Sequence, residues 1–181
     1  QGVAADLSIE PAVEKMAEAA GEWLGEVDVL VNAAGGYWGG SSLWETTPDQ
    51  WHQMLQTNLH SAFLCTRALL PGMVARGYGR IVNIASRAAF EPRAGAGAYA
   101  VSKAAVVAYT RALREDLKGT GVSAVALAPS VIDSPQMREA LPKADPSKWV
   151  TPGELAQAIV QLVGREGALF SGGILPAYGD L

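Results

Sequence analysis

Three side chains between Ser86 and Lys103 have the types and spacing to move a proton together. Tyr99 and Lys103 stand four apart at the start of an Ala-rich run, which sets both on one helical face, one turn apart. A free phenol has a pKa near ~10 and is a poor proton relay at neutral pH. An ammonium one turn away favours the phenolate, so the pair is expected to lower that pKa and make Tyr99 a general acid/base. Ser86 lies thirteen residues before the tyrosine, where the apolar run Arg80-Ile-Val-Asn-Ile-Ala85 stops. It reads as the last residue of a buried strand, and in an open α/β sheet that carboxyl edge is where ligands sit. A hydroxyl there can donate to a carbonyl oxygen as charge develops on it. Tyr-x-x-x-Lys alone also arises by chance on exposed helix faces. The serine at a strand end is what makes the set specific.

Strands and helices alternate around these residues. Gly2–Ala5 reads as the end of a strand, and the stripe Val13, Met16, Ala17 and Ala20 predicts a helix from Pro11 to about Leu24. Val27–Val31 reads as a buried strand ending in Asn32-Ala-Ala-Gly35. A glycine- and tryptophan-rich loop follows to Thr46. Thr47-Pro48-Asp49-Gln50 is a capping box that opens the next helix, which carries Asn58 and could bend near Pro71. Ile81–Ala85 is the following strand, then a helix from about Ala98 to Leu117, then the strand Val122–Ala128. Ser130–Val150 has no clear period and reads as a mobile flap. A second capping box, Thr151 to Glu154, opens a helix to about Val163, and Ile174-Leu175 is the final strand. The alternation predicts a parallel, doubly wound α/β sheet in one domain.

Composition narrows the function. The 181 residues are 49% apolar and 18% charged, which suits a single domain with a sizeable core. A net charge of −4 without any Lys/Arg cluster argues against nucleic acid and anionic membrane. No run approaches transmembrane length and no signal peptide is visible, so a cytoplasmic location is expected. The single cysteine, Cys65, cannot form an internal disulfide and reads as a core thiol. Two histidines and no Cys/His cluster make a metal site unexpected.

The set Ser86…Tyr99-x-x-x-Lys103 resembles the active site of the short-chain dehydrogenase/reductase family, and the resemblance runs along nearly the whole chain. It implies a Rossmann-type fold, an NAD or NADP cofactor, a small carbonyl or alcohol substrate, and a homo-oligomer, dimer or tetramer, assembled partly through helices matching 48–76 and 98–117. In the family an asparagine matching Asn58 holds a water that links the lysine to solvent; a surface asparagine is the plainer alternative. Asn32, Ala33, Ala34 and Gly35 match a motif under the adenosine ribose, although Asn and Gly suit any strand-to-loop turn. Asp6 matches an acidic residue near the adenine, or simply caps a turn. Pro129, the backbone at Ile132 and the hydroxyl of Ser134 match a segment that meets the nicotinamide carboxamide, with Ser130 where a glycine is usual. Tyr99 and Lys103 also face the nicotinamide ribose. Tyr37, Trp38 and Arg93 flank the expected pocket, where aromatic walls and one cation could select a flat or anionic substrate; packing and solvation are the alternatives.

Val3–Ala5 would then end the family's third strand, so the sequence 1–181 reads as an N-terminally truncated, partial NAD(P)-binding domain lacking its first βαβ segment and its Gly-x-x-x-Gly-x-Gly turn. Within the family it looks like the 3-oxoacyl-carrier-protein reductases, with Trp149 and the tail Ile174–Gly179 pointing slightly toward reductases of pteridine-like substrates. A non-catalytic member that keeps Asn58, Ser86, Tyr99 and Lys103 but binds no dinucleotide is the rival reading.

Overall fold

A computed structural model describes residues 1–180 of the chain. Among them, four parallel strands lie side by side in chain order: β1 (Val29–Asn32), β2 (Gly79–Ile84), β3 (Val122–Pro129) and β4 (Ile174–Ala177). Parallel neighbours require crossover connections, and here helices supply them. The helices are α1 (Glu10–Leu24), α2 (Pro48–Leu55), α3 (Ser61–Arg76), α4 (Gly97–Asp116), α5 (Pro135–Ala140) and α6 (Pro152–Val163).

Successive side chains of a strand point to opposite faces, so a doubly covered strand reads as a continuous apolar run. In β2, Ile81 belongs to a cluster with Met73 of α3, Leu113 of α4 and Leu117 just past the end of α4. Its neighbour Val82 packs with Leu155 and Leu162 of α6 on the other face. The sheet is therefore wound on both sides, as the alternation of elements predicts.

The helix boundaries follow local chemistry. Both capping boxes form: Thr47 accepts from the Gln50 amide and Thr151 from the Glu154 amide, each returned by the side chain three residues on. Gly77 ends α3 in the left-handed conformation, where a Cβ would be strained.

Four expectations change. Gln1–Asp6 runs without regular structure rather than ending a strand, because no described strand lies alongside to pair with it. Ser130–Val150 is not a structureless flap: it contains α5, capped by the Ser134 hydroxyl, an isolated Ile132–Val150 bridge joins its two ends, and the Ser130 amide donates to the Ala177 carbonyl of β4. The long helical stretch also carries an unpredicted π-turn, Gln56–His60, and α3 then runs through Pro71 to Arg76. Finally, β2 ends at Ile84; Ala85 still donates to the Leu127 carbonyl, and Ser86 starts a short 3₁₀ turn instead of closing the strand.

Candidate active site

The carboxyl ends of β1, β2 and β3 deliver Asn32–Gly35, Ser86 and Pro129 to one edge of the sheet, and α4 brings Tyr99 and Lys103 to the same edge. Ser86 is buried, and its Oγ accepts from the Ala88 amide at 3.2 Å, leaving its hydrogen free to donate. The Tyr99 phenol lies near enough to that hydroxyl for Ser86 to favour its ionised form. Lys103, also buried, donates from Nζ to the Ile84 carbonyl at 2.8 Å.

The electrostatics differ from the expected tuning. Burial pushes the Tyr99 phenol up; the bond from Ser86 pulls it partly back, and the nearby Tyr37 phenol adds a smaller push upward. The reason is desolvation: phenolate is disfavoured away from water, and the lysine charge is directed at the Ile84 carbonyl. Burial lowers Lys103 itself to about 8. The chain alone thus holds a protonated phenol beside a lysine that still carries its charge at neutral pH.

Asn58 is almost wholly buried, at 2% exposure, so the surface alternative fails. The π-turn carries it inward, a local geometry frequent at functional sites. Its Nδ2 donates to the Gly36 carbonyl and to Ser102 Oγ, both at 3.0 Å, and its Oδ1 accepts from the Gly36 amide at 2.9 Å. A Cβ on Gly35 would lie 2.8 Å from Asn58 Oδ1 and 3.2 Å from Lys103 Nζ. The turn after β1, the asparagine and the lysine therefore meet at a point that only glycine leaves open.

The remaining predicted residues divide. Ala33, Ala34 and Gly35 are exposed and present backbone at the sheet edge. Asn32 instead turns its carboxamide into the sheet, donating to Asn83 at 2.8 Å and Thr66 at 3.3 Å. Asp6 is exposed and caps its own turn through the Ser8 amide and hydroxyl. Ser134 caps α5, Ile132 is held by its bridge to Val150, and Ser130 is tied to the Tyr178 carbonyl. Tyr37 lies edge-on to Tyr99, ring centroids 5.0 Å apart, whereas Arg93 is exposed.

Sequence reasoning missed Ser102, Asn83, Thr66 and Thr110, all buried and hydrogen-bonded behind the site. A readable signal existed for Asn83, a lone amide inside the apolar run of β2. Among the described residues no group of three His, Cys, Asp or Glu is placed to hold a metal ion, and no helix is long and apolar enough to cross a membrane.

The sequence model for short-chain dehydrogenases matches residues 1–145. The chain belongs to that family. It is 41% identical over 133 residues to a 2-dehydro-3-deoxy-L-rhamnonate dehydrogenase (NAD(+)) of Sphingomonas sp. (strain SKA58), covering 74% of this chain and 53% of that protein. It is 32% identical over 194 residues to a rhamnolipids biosynthesis 3-oxoacyl-acyl-carrier-protein reductase of Pseudomonas aeruginosa, covering 99% of this chain and 75% of the relative. The chain thus spans about half the length of the first protein and three quarters of the second. The fold matches ElxO, solved with NADP bound, at a TM-score of 0.89 and 24% identity, over 96% of this chain and 75% of that one.

Proposed function

We propose that the chain carries the catalytic site of an NAD(P)(H)-dependent oxidoreductase that interconverts a carbonyl and a secondary alcohol, with Tyr99 as proton donor and acceptor. The observation that carries this reading is the meeting of Ser86 and Tyr99 beside Lys103 at the carboxyl edge of a parallel sheet. The phenol is protonated in place, as a donor to a carbonyl oxygen must be.

A nicotinamide dinucleotide, when bound, supplies or accepts the hydride. The residues present fit a dinucleotide: where the turn after β1 meets Lys103, the Gly35 position leaves a cradle that a Cβ would fill, bordered by a lysine ammonium. Tyr99 and Lys103 would face the nicotinamide ribose, while Pro129, the Ile132 backbone and Ser134 would meet the carboxamide. The backbone of Ala33–Gly35, steadied by Asn32 behind it, and Asp6 would serve the adenosine half.

In the reductive direction Tyr99 gives its proton to the carbonyl oxygen while the free hydrogen of Ser86 donates to the same oxygen. Both act where negative charge develops. Lys103, cationic at neutral pH, stabilises the phenolate that remains, and Asn58 anchors the path that returns a proton to Tyr99. In the oxidative direction the same phenolate takes the alcohol proton. The names of the relatives span NAD(+) and NADP, so either nucleotide is carried forward.

The protein acts as a homo-oligomer, a dimer or tetramer, in which α2, α3 and α4 meet a second copy. Leu55, Leu59, Phe63 and Tyr109 line an apolar groove there, and sedimentation of the purified protein measures the state. Activity is tested by mixing the protein with NADH or NADPH and a set of ketones and 3-oxoacyl thioesters while following nicotinamide absorbance. Consumption of one nucleotide is expected. No turnover with either nucleotide across the set would overturn the reading.

A further inference from the structure

Ser102 precedes Lys103 in α4 and has no exposed surface. Its hydroxyl donates to the Tyr99 carbonyl at 2.7 Å, one turn back in the helix. A hydroxyl has one hydrogen, so toward any other partner this oxygen can only accept. The partner is Asn58 Nδ2, at 3.0 Å.

That arrangement decides which way the Asn58 carboxamide points. Its NH₂ group faces two acceptors, Ser102 Oγ and the Gly36 carbonyl. Its oxygen faces a donor, the Gly36 amide. Turning the amide over would set Oδ1 against those two acceptors and the NH₂ against an N–H, losing all three bonds inside a buried pocket. The cost of unpaired polar groups there is high. The direction of the amide also matters for the site, because Asn58 Oδ1 and Lys103 Nζ both border the space above Gly35.

We infer that Ser102 is a positioning residue for the active site: by accepting from Asn58, it locks the asparagine against the Gly35–Gly36 turn and holds that turn in register with Lys103. The effect on catalysis rests on the oxidoreductase reading above; the orientation of Asn58 does not. A serine that merely fills a helix by bonding its own preceding turn is the competing role, and that role would leave Asn58 untouched.

The test has two independent arms. In protein labelled with ¹⁵N at asparagine, the Asn58 side-chain NH₂ signals are expected to be resolved and slow to exchange. Ser102→Ala should shift them toward free-amide positions and speed their exchange at least ~10-fold, because one of the bonds that hold the NH₂ is gone. The Asn32 and Asn83 amides should not move, and Ser102→Thr, which keeps the hydroxyl, should restore the Asn58 signals. In turnover, Ser102→Ala should lower kcat by ~10–10²-fold through misplacement of the site, yet add nothing further in an Asn58→Ala background. Unchanged Asn58 signals in Ser102→Ala, or kcat losses that multiply in the double variant, would overturn the proposal. Should the wild-type protein turn over no substrate, the functional reading falls and the amide signals still decide the role of Ser102. Ser102→Cys, close in volume and a weaker acceptor, carries the same measurements if the alanine variant does not fold.

Discussion

Asn32 and Asn83 are direct register partners in β1 and β2, and their carboxamides are joined across the sheet, Nδ2 to Oδ1 at 2.8 Å. Asn83 continues the chain by donating to Thr110 Oγ1 at 2.9 Å, and Thr110 donates in turn to the Val106 carbonyl. The sheet edge that presents Ala33–Gly35 is thus bolted to the helix that presents Tyr99 and Lys103. Asn83→Ala would leave the Asn32 amide and Thr110 short of partners in a dry core. A loss of ~2–4 kcal/mol is expected, since each buried group left unpaired costs ~1–3 kcal/mol. Urea unfolding measures it, and the loss from Asn32→Ala and Asn83→Ala together should fall short of their sum. Additive losses would show that the two amides are not coupled.

This network marks where the sequence stops being legible. Strand and helix order, both capping boxes and the Ser86, Tyr99 and Lys103 set are local patterns, readable because period, spacing and cap chemistry act within a few residues. The partner of Asn32 stands in another strand, 51 residues on, and no local rule selects it. The same holds for Ser102 and Asn58, 44 residues apart. The pKa direction of Tyr99 is not legible from spacing for a related reason. Spacing puts a lysine nearby, but only packing decides how much water the phenol loses and which oxygen the ammonium chooses.

Tyr99→Phe should leave the fold and the thermal midpoint nearly unchanged while removing most turnover, because only the hydroxyl is lost. General acid/base contributions are worth ~10²–10⁴ in rate. Nucleotide affinity, read by fluorescence titration, should stay within a few-fold of wild type. Near-normal carbonyl reduction by Tyr99→Phe would remove Tyr99 from the role proposed for it.

Gly35→Ala tests the crowding above the turn. The added methyl would sit 2.8 Å from Asn58 Oδ1 and 3.2 Å from Lys103 Nζ, so one or both must move. Gly35 is itself exposed, but the groups displaced are buried and paired, so a stability loss of ~1–3 kcal/mol is expected as well. Turnover should fall by ~10–10²-fold through displacement of the site residues. Equal losses in an unrelated exposed loop glycine, or full activity in Gly35→Ala, would contradict the placement of Asn58 and Lys103 at this point.

The lowered pKa of Lys103 sets a dependence of stability on pH with a definite sign. Its folded value is about 8 against an ordinary value of 10.5. Between those limits the unfolded chain still binds the proton that the native chain has released. Unfolding free energy therefore rises with pH across this window, and below about pH 8 the buried charge weakens the fold. The buried Cys65 and the half-buried Tyr99 and Tyr109 are all raised, desolvation being the largest cause in each. These acids act oppositely, because above their ordinary values near 9 and 10 the native chain keeps protons that the unfolded chain has lost. Measured stability should climb from about pH 8 and flatten above about pH 9. Lys103→Met isolates the lysine, since the other groups titrate alike in both proteins. Relative to wild type, the variant's stability should drop by ~3 kcal/mol between pH 7 and pH 10.5, at about 1.36 kcal/mol for each pH unit of pKa displacement. The unpaired Ile84 carbonyl adds a constant offset to the variant and no slope. Urea unfolding at a series of pH values gives both curves, and parallel curves would mean that Lys103 is not desolvated in the folded chain.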